Sequence, residues 1–205
     1  MVLENIFKSS FAGALIAIGG IAYVNNMGTP LAPFLFSIGL IGVVVLQLTL
    51  YTGRIGYVQA SVNDISDLFI TVLWNFWAAK SIGSIFAGTH ASNDSLNNLV
   101  AAKLSQPYAL TFLLAIGCGV MMYLAVEGHK RTHSLLLLVF PVAIFITCGF
   151  EHCVANIFYF AAADAFVGEN IKLCWLHIFV AMCGNSVGSI LTHKITNYTQ
   201  KEIEK

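Results

Sequence analysis

Six long apolar stretches, separated by short polar segments, make up most of this chain. They cover about residues 6–23, 31–50, 65–87, 108–126, 135–160 and 171–191. A helix needs about 20 apolar residues to cross the hydrocarbon core of a bilayer, so each stretch is long enough to span it. No long polar segment divides them. The pattern predicts an all-α integral membrane protein with six transmembrane helices, forming one domain over residues 1–205.

The composition agrees with this prediction. The chain is 58% hydrophobic and only 10% charged, whereas a soluble domain carries about 25% charged residues. Its 10 basic and 10 acidic residues balance, which gives no indication of nucleic-acid binding and leaves membrane lipids as the expected surroundings. The five cysteines show no spacing typical of a metal site or a disulfide framework. We therefore predict a protein that is not an enzyme and uses no metal or cofactor.

The basic residues predict the orientation in the membrane. With six spans, both termini lie on one side, and most Lys and Arg residues fall on that side. These are Lys8, Arg54, Lys130, Arg131, Lys194, Lys201 and Lys205. Lys103 and Lys172 fall in the opposite loops, and Lys80 lies inside the third span. Cytoplasmic loops carry the excess of Lys and Arg, so both termini are expected in the cytoplasm.

The second and fifth spans share an interruption. The second runs into "TLYTGRIGYVQA" and the fifth into "GFEHCVANIFYFAAADAF". In each, a polar, glycine-containing segment is followed by a second apolar stretch. Since three spans form each half, two such halves insert with opposite orientations, which is the pattern of an inverted 3+3 repeat with broken helices. We place the breaks at Thr52–Gly53 and Gly149–His152 and expect them to face one central pathway, because non-helical backbone at membrane depth needs protein or water around it.

Four motifs occur in order along the chain. They are "FSIGLIGVVVLQLTLYTG" at 36–53, Lys103 followed by "GCGVMMYLAV" at 117–126, "PVAIFITCGFEHCVANIFY" at 141–159 and "GNSVGSI" at 184–190. In these motifs the chain resembles the formate/nitrite transporter family over essentially its whole length. It departs from the family in the third span, where members often have Gly-Asn and this chain has Ala79-Lys80. It also departs at Gly119, where the fourth span often carries Asn.

The resemblance implies an aquaporin-like protomer in a homopentamer, with one pore through each subunit. Members of the family conduct small monovalent anions such as formate, nitrite, lactate or hydrosulfide. The expected function is therefore a passive or proton-linked channel for weak-acid anions of this kind, or their neutral acids, in the cytoplasmic membrane. Which anion is physiological, and in which direction it moves, are open at this level.

The Glu-His pair at 151–152 is the clearest candidate for function. A charged side chain at the bilayer centre costs roughly 2.5–3.5 kcal/mol and usually faces a cavity or a partner. The resemblance places His152 inside the pore, beside Thr52 of the other broken helix. It also implies that Lys103, in the loop before the fourth span, draws anions to the outer mouth. We expect Glu151 and Asn156 to brace the break.

The same resemblance implies apolar narrow points in the pore. It pairs Leu40 with Phe145 on the cytoplasmic side and Phe36 with Met122 on the outer side. Near the central loops it places Leu50 and Tyr51, and Gly149 and Gly53 support the two breaks. Apolar rings exclude hydrated ions. The expected route is that an anion gains a proton near the centre and leaves as a neutral acid. Both His152 and bulk water remain possible proton donors.

Two other functions stay open. A neutral-solute channel also uses inverted repeats, although the paired Asn-Pro-Ala signatures of aquaporins are absent from the sequence. A membrane redox subunit would need paired histidines on facing helices. His152 lies well inside an apolar span, and His177 lies near the start of the sixth.

Overall fold

The computed structural model describes residues 2–59, 61–89 and 94–203, and the regular structure in this part of the chain is helical. The helices are α1 (Val2–Val24), α2 (Ala32–Val45), α3 (Tyr51–Arg54), α4 (Val62–Thr89), α5 (Asp94–Ser105), α6 (Tyr108–Thr132), α7 (Leu136–Thr147), α8 (Cys153–Ala162) and α9 (Asn170–Ile203), with a 3-10 turn at Ile55–Tyr57. Helices α1, α4, α6 and α9 are each long and apolar enough to cross a membrane. The prediction of an all-helical chain with several apolar helices is confirmed.

Helices α2 and α7 end in the same way. At each end one residue adopts a positive φ, Gln47 at 53° and Gly149 at 65°. The next residue then bonds back across the last turn, Leu48 N to Val43 O at 2.8 Å and Phe150 N to Phe145 O at 2.9 Å. This is a Schellman motif, which satisfies the last free carbonyls of a helix. Both helices therefore stop in a defined turn, and the chain continues as non-helical backbone over 46–50 and 148–152.

The first of these segments corrects the predicted position of a break. We predicted it at Thr52–Gly53, but both residues lie inside α3. Leucine-rich residues 46–50 look like a continuation of the apolar helix in sequence. They leave the helix because the turn at Gln47 ends it. The second segment, 148–152, overlaps the predicted break at Gly149–His152.

The helices pack in two groups. In the first, α1 packs against α2 and α4; in the second, α6 packs against α7 and α9. Contacts of α2 with α7 and of α4 with α8 join the groups. Glycines allow close approaches between these helices: a Cβ on Gly13 would collide with the backbone of Asn75, and a Cβ on Gly119 would collide with that of Asn185. Glycine at 119 is thus required by the contact between α6 and α9, at the position where we had noted the absence of an Asn.

Lys103 lies on a helix, whereas we predicted a loop. Helix α5 buries Leu96 and Val100 on one face, and this four-residue spacing is the amphipathic signal that the prediction overlooked. Lys80 in α4 places its ammonium 5.3 Å from the centre of the Phe166 ring. Large apolar side chains such as Phe69, Trp77 and Phe179 point outward, as expected for a surface that faces lipid.

Candidate functional site

Thr52 and His152 meet at the centre of the fold. Thr52 Oγ1 lies 3.0 Å from His152 Nε2, and both residues are buried. Thr52 comes from α3, which follows α2 along the chain, and His152 immediately precedes α8. The chain segments that follow the turns at Gln47 and Gly149 therefore bring together two polar side chains from distant parts of the sequence.

His152 also caps the helix that follows it. Its Nδ1 accepts a hydrogen bond from the backbone N–H of Ala155 at 3.1 Å, which makes it the N-cap residue of α8. A nitrogen that accepts carries no proton, so in this geometry the ring proton is on Nε2. The ring then donates from Nε2 toward Thr52. A doubly protonated ring would lose the cap, so this arrangement favours the neutral imidazole.

Asn185 fixes the backbone around His152. Its Oδ1 accepts from Cys153 N at 3.0 Å, while its Nδ2 donates to Glu151 O at 2.7 Å and to Ala115 O at 2.9 Å. One amide thus bonds the residues before and after His152 and ties both to α6. Buried backbone groups need partners, and Asn185 supplies them where the helix is broken.

Asn75 does the same for the other break. Its Oδ1 accepts from Tyr51 N at 2.8 Å, and its Nδ2 donates to Thr49 O at 3.0 Å and to Ser9 O at 2.7 Å. The bonded backbone flanks Leu50. Sequence reasoning missed Asn75, although a single amide in the middle of the apolar third span was a usable signal.

Lys103 forms a buried ion pair with Glu151. Lys103 Nζ lies 2.7 Å from Glu151 Oε2, and their side chains are 11% and 3% exposed. The same oxygen accepts from Asn156 Nδ2 at 2.7 Å, and Gln106 Nε2 donates to Oε1 at 3.3 Å. Glu151 thus holds α5, the break and α8 together. Lys103, which we expected to draw anions to the outer mouth, is paired with a buried carboxylate.

A small cavity lies between Lys103 and His152, which we call the Lys103 cavity. It encloses about 40 Å³ and is lined by Lys103, His152, Asn156, Tyr159 and neighbouring apolar residues. Two buried polar atoms on this wall, Asn156 Oδ1 and the Tyr159 hydroxyl, have no hydrogen-bond partner among the described residues. A water molecule takes about 30 Å³, so the cavity suits a water or an ion of a few atoms. Its unsatisfied polar atoms give such an occupant partners.

A larger cavity lies on the other side of the break that carries Leu50, and we call it the Arg54 cavity. It has a volume of about 500 Å³. Arg54, His129, Lys130 and His133 contribute its basic lining, and apolar residues including Leu40, Leu50 and Val126 form the rest of its wall. His152 lines the Lys103 cavity. On the other side, Leu50 and Gly53, close to Thr52 in the chain, line the Arg54 cavity.

Comparison with known sequences identifies the chain. The sequence profile of the family described as "Formate/nitrite transporter" matches residues 2–199. The chain belongs to the formate/nitrite transporter family. Among curated relatives, the formate channel FocA of Haemophilus influenzae is 29% identical over 72% of this chain and 62% of its own length. A probable formate transporter of Methanothermobacter thermautotrophicus is 26% identical over 91% of this chain and 84% of its own length.

Solved structures show the same fold. A chain described as an "FNT family ion channel" superposes with a TM-score of 0.86 at 20% identity, covering 97% of this chain and 90% of the other. A "Pentameric formate channel with formate bound" superposes with a TM-score of 0.78 at 19% identity, covering 98% and 96%. The structural likeness extends over nearly the whole chain.

Within this member of the formate/nitrite transporter family, two of the predicted narrow points lie at different cavities. Leu40 lines the Arg54 cavity, whereas Phe145 lines the Lys103 cavity. The Phe145 ring packs against Phe36 at a centroid distance of 5.7 Å and against His152 at 5.8 Å. Phe145 thus lies beside Phe36 and His152, and its pairing with Leu40 stays a prediction. Phe145 lies in the last turn of α7, next to the non-helical segment 148–152. It lines the same cavity as Lys103.

The remaining predicted residues take supporting positions. Met122 is buried on α6 and lines neither of the two cavities as described. The Tyr51 hydroxyl lies 2.6 Å from Ser186 Oγ, which links α3 to α9. Gly53 borders the Arg54 cavity, with its Cβ position 3.5 Å from a Val126 methyl. The structure thus gathers Lys103, Glu151, His152, Thr52 and Asn156 into one site and leaves Met122 outside it.

Proposed function

We propose that this protein is a channel for small monovalent weak-acid anions, with formate as the first candidate. The observation that carries the proposal is the Lys103 cavity, which is small enough for an ion of a few atoms and places a cation, an imidazole and two unsatisfied polar atoms around it. The formate channels and transporters among its relatives support the choice of formate. Because the chain spans 62% of the length of the Haemophilus relative, the substrate is part of the proposal.

The anion binds in the Lys103 cavity. The Tyr159 hydroxyl can donate a hydrogen bond to it, and the Lys103 ammonium, paired with Glu151, borders the same cavity. Neutral His152 donates its one ring N–H to Thr52 at 3.0 Å, so the uncharged donor left for the anion is the Tyr159 hydroxyl. A neutral donor binds an anion without the strong attraction of a full charge, so the anion can also leave.

The next step crosses the apolar wall formed by Leu40, Leu50 and Val126. A bare anion loses its hydration there and is strongly disfavoured, whereas the neutral acid loses far less. We propose that the ion takes a proton in the Lys103 cavity and crosses as the acid. The geometry of His152 favours water as the proton source, since Nδ1 holds the α8 cap and a ring that gives up its Nε2 proton must recover it in a buried site.

The proposed architecture is an inverted 3+3 repeat of six spans, assembled as a homopentamer in the cytoplasmic membrane with both termini in the cytoplasm. The repeat is supported by the matching Schellman turns at Gln47 and Gly149 and by the matching bonds of Asn75 and Asn185. The pentamer is supported by the name of the superposing formate channel. In this orientation the Lys103 cavity opens outward and the Arg54 cavity opens to the cytoplasm.

The test is anion uptake by proteoliposomes that contain the purified protein. We expect labelled formate to enter, faster with an inward proton gradient, and nitrite and hydrosulfide to compete with it. The Thr52→Val variant, which keeps the shape and loses the hydroxyl, should slow uptake, while Thr52→Ser should retain it. Swelling with glycerol or urea in place of anion uptake would favour a neutral-solute channel. A haem band in the visible spectrum would favour a redox subunit.

A further inference from the structure

The ion pair between Lys103 and Glu151 leaves a question about the proposed channel. One positive and one negative charge, 2.7 Å apart, sum to zero, so the pair produces only a weak field at the distance from which an anion approaches. The adjoining Gln106, Asn156 and Tyr159 add no net charge. Some other group must supply positive charge if this mouth is to concentrate anions.

His177 is a buried titratable residue that the proposed mechanism leaves unused. It lies in α9 and is 2% exposed. Its Nδ1 lies 3.3 Å from Thr111 Oγ1 in α6, and the Tyr108 ring packs against the imidazole at a centroid distance of 4.8 Å. At the sequence level, His177 was only a candidate for a redox pair.

A chain of hydrogen bonds connects His177 to the ion pair. Gln106 Nε2 donates to Thr111 Oγ1 at 2.8 Å and to Glu151 Oε1 at 3.3 Å. Thr111 in turn contacts His177. Two side chains therefore separate the imidazole from the carboxylate that neutralises Lys103. Both Glu151 and Lys103 act electrostatically on the ring.

We propose that His177 supplies a pH-dependent charge at the mouth of the Lys103 cavity. Its protonation turns a neutral mouth into a positive one that gathers anions. When His177 is neutral, Lys103 and Glu151 cancel. When it is protonated, the three groups sum to one positive charge, and Glu151 is shared between two cations. Lys103 is then less tightly held and attracts the incoming anion more strongly.

The groups around His177 determine how the charge of the mouth changes with pH. The charged or titratable groups around the ring are Glu151 at the break, Lys103 in α5 and Tyr108 in α6; on its own helix, Lys172 is exposed in the first turn. Histidine ordinarily changes charge between about pH 5 and 8; burial of the His177 ring and the Lys103 ammonium oppose its protonation, and the Glu151 carboxylate favours it. Acidification on the Lys103 side therefore makes the mouth more positive, under the same condition that drives uptake of a weak acid.

The proposal rests on the proposed anion-channel function, and the experiment separates the two. Formate uptake by proteoliposomes of neutral lipid is measured at external pH 5.5 and 8, with internal pH fixed, at low and high salt. In the wild type we expect salt to raise the apparent KM several-fold at pH 5.5 and little at pH 8, because only a net charge at the mouth is screened over about 8–10 Å. An equal salt effect at both pH values would overturn the proposal for His177. No uptake at any pH would instead overturn the anion channel itself.

Variants locate the charge. Asn at 177 mimics the Nδ1 that contacts Thr111, and Gln mimics the opposite nitrogen; neither can take up a proton. In His177→Asn or His177→Gln we expect the KM at pH 5.5 to rise several-fold toward its value at pH 8, with the maximal rate kept. His193→Asn is the matched control, since His193 lies on the same helix and bonds Tyr123 and Asn197. A folded His177 variant with the wild-type pH and salt profile would overturn the proposal, and if neither variant folds, the wild-type salt comparison decides.

Discussion

Asn75 and Asn185 make the same three hydrogen bonds in different parts of the chain. Each accepts from the backbone N–H that follows a central residue, donates to the carbonyl that precedes it, and donates to a carbonyl on a neighbouring long helix. The central residue is Leu50 in one case and His152 in the other. Two amides, one in α4 and one in α9, thereby hold both non-helical segments in place.

Replacing either amide should destabilise the fold strongly. Asn75→Ala or Asn185→Ala leaves three buried backbone groups without partners, and each such group costs about 1–3 kcal/mol. We expect a large fall in the thermal midpoint of the detergent-solubilised protein, which is measured by fluorescence-detected size-exclusion chromatography after heating. Asn98→Ala, at an exposed position in α5, is the control and should leave the midpoint unchanged. Equal midpoints for all three variants would show that the amides do not hold the breaks.

His152→Asn should preserve the fold and the pH profile of uptake. Asn is among the preferred N-cap residues, so it can replace Nδ1 as the partner of Ala155 N. His152→Leu loses the cap and should cost about 0.5–2 kcal/mol, measured as a lower thermal midpoint. Because the structure favours a neutral ring, removing the titratable group should reduce the rate without moving the pH midpoint. A shifted midpoint in a well-folded His152→Asn protein would show that this ring does take up a proton.

Removing Lys103 alone should damage the protein more than removing the whole ion pair. Lys103→Met leaves the Glu151 carboxylate buried without its cation, and breaking a buried pair costs about 3–5 kcal/mol. The double variant Lys103→Met with Glu151→Gln removes both charges and keeps an amide for Asn156. We expect its thermal midpoint to lie above that of the single variant. A Lys103→Met protein as stable as the wild type would show that the ion pair with Glu151 does not stabilise the fold.

Shortening Phe145 should admit larger acids. Phe145 contacts both Phe36 and His152 at the Lys103 cavity, so Phe145→Leu enlarges this space at a smaller cost than Phe145→Ala, for which about 3–5 kcal/mol is typical. We expect lactate uptake to rise relative to formate. Phe140→Leu, on the same helix with a half-exposed ring, controls for general effects on α7. Unchanged selectivity in the folded Phe145 variant would remove Phe145 from the pathway.

The sequence predicted the apolar helices and the interruption near His152, because hydropathy and the motif "GFEHCVAN" are local signals. The contact of Thr52 with His152 was implied by the resemblance to the family. Sequence reasoning misplaced the first break, since residues 46–50 are as apolar as the transmembrane helix before them. The turn at Gln47 needs a positive φ, and the sequence has no glycine there to indicate it. Sequence reasoning also missed the partner of Lys103. Glu151 lies 48 positions away along the chain, and only the packing of α5 over the break brings the two together.

The hydrogen bonds of Asn75 and Asn185 have a consequence for the substitutions that the centre of this protein can accept. They hold the main chain on either side of Leu50 and His152 and make none of these bonds to the two side chains themselves. A substitution at Leu50 therefore leaves the bonds of Asn75 in place, whereas a substitution at His152 must also replace the cap at Ala155 N. Leu50 can then change in size or polarity while its backbone stays held, and His152 can change at little cost only to a residue that caps α8 in its place.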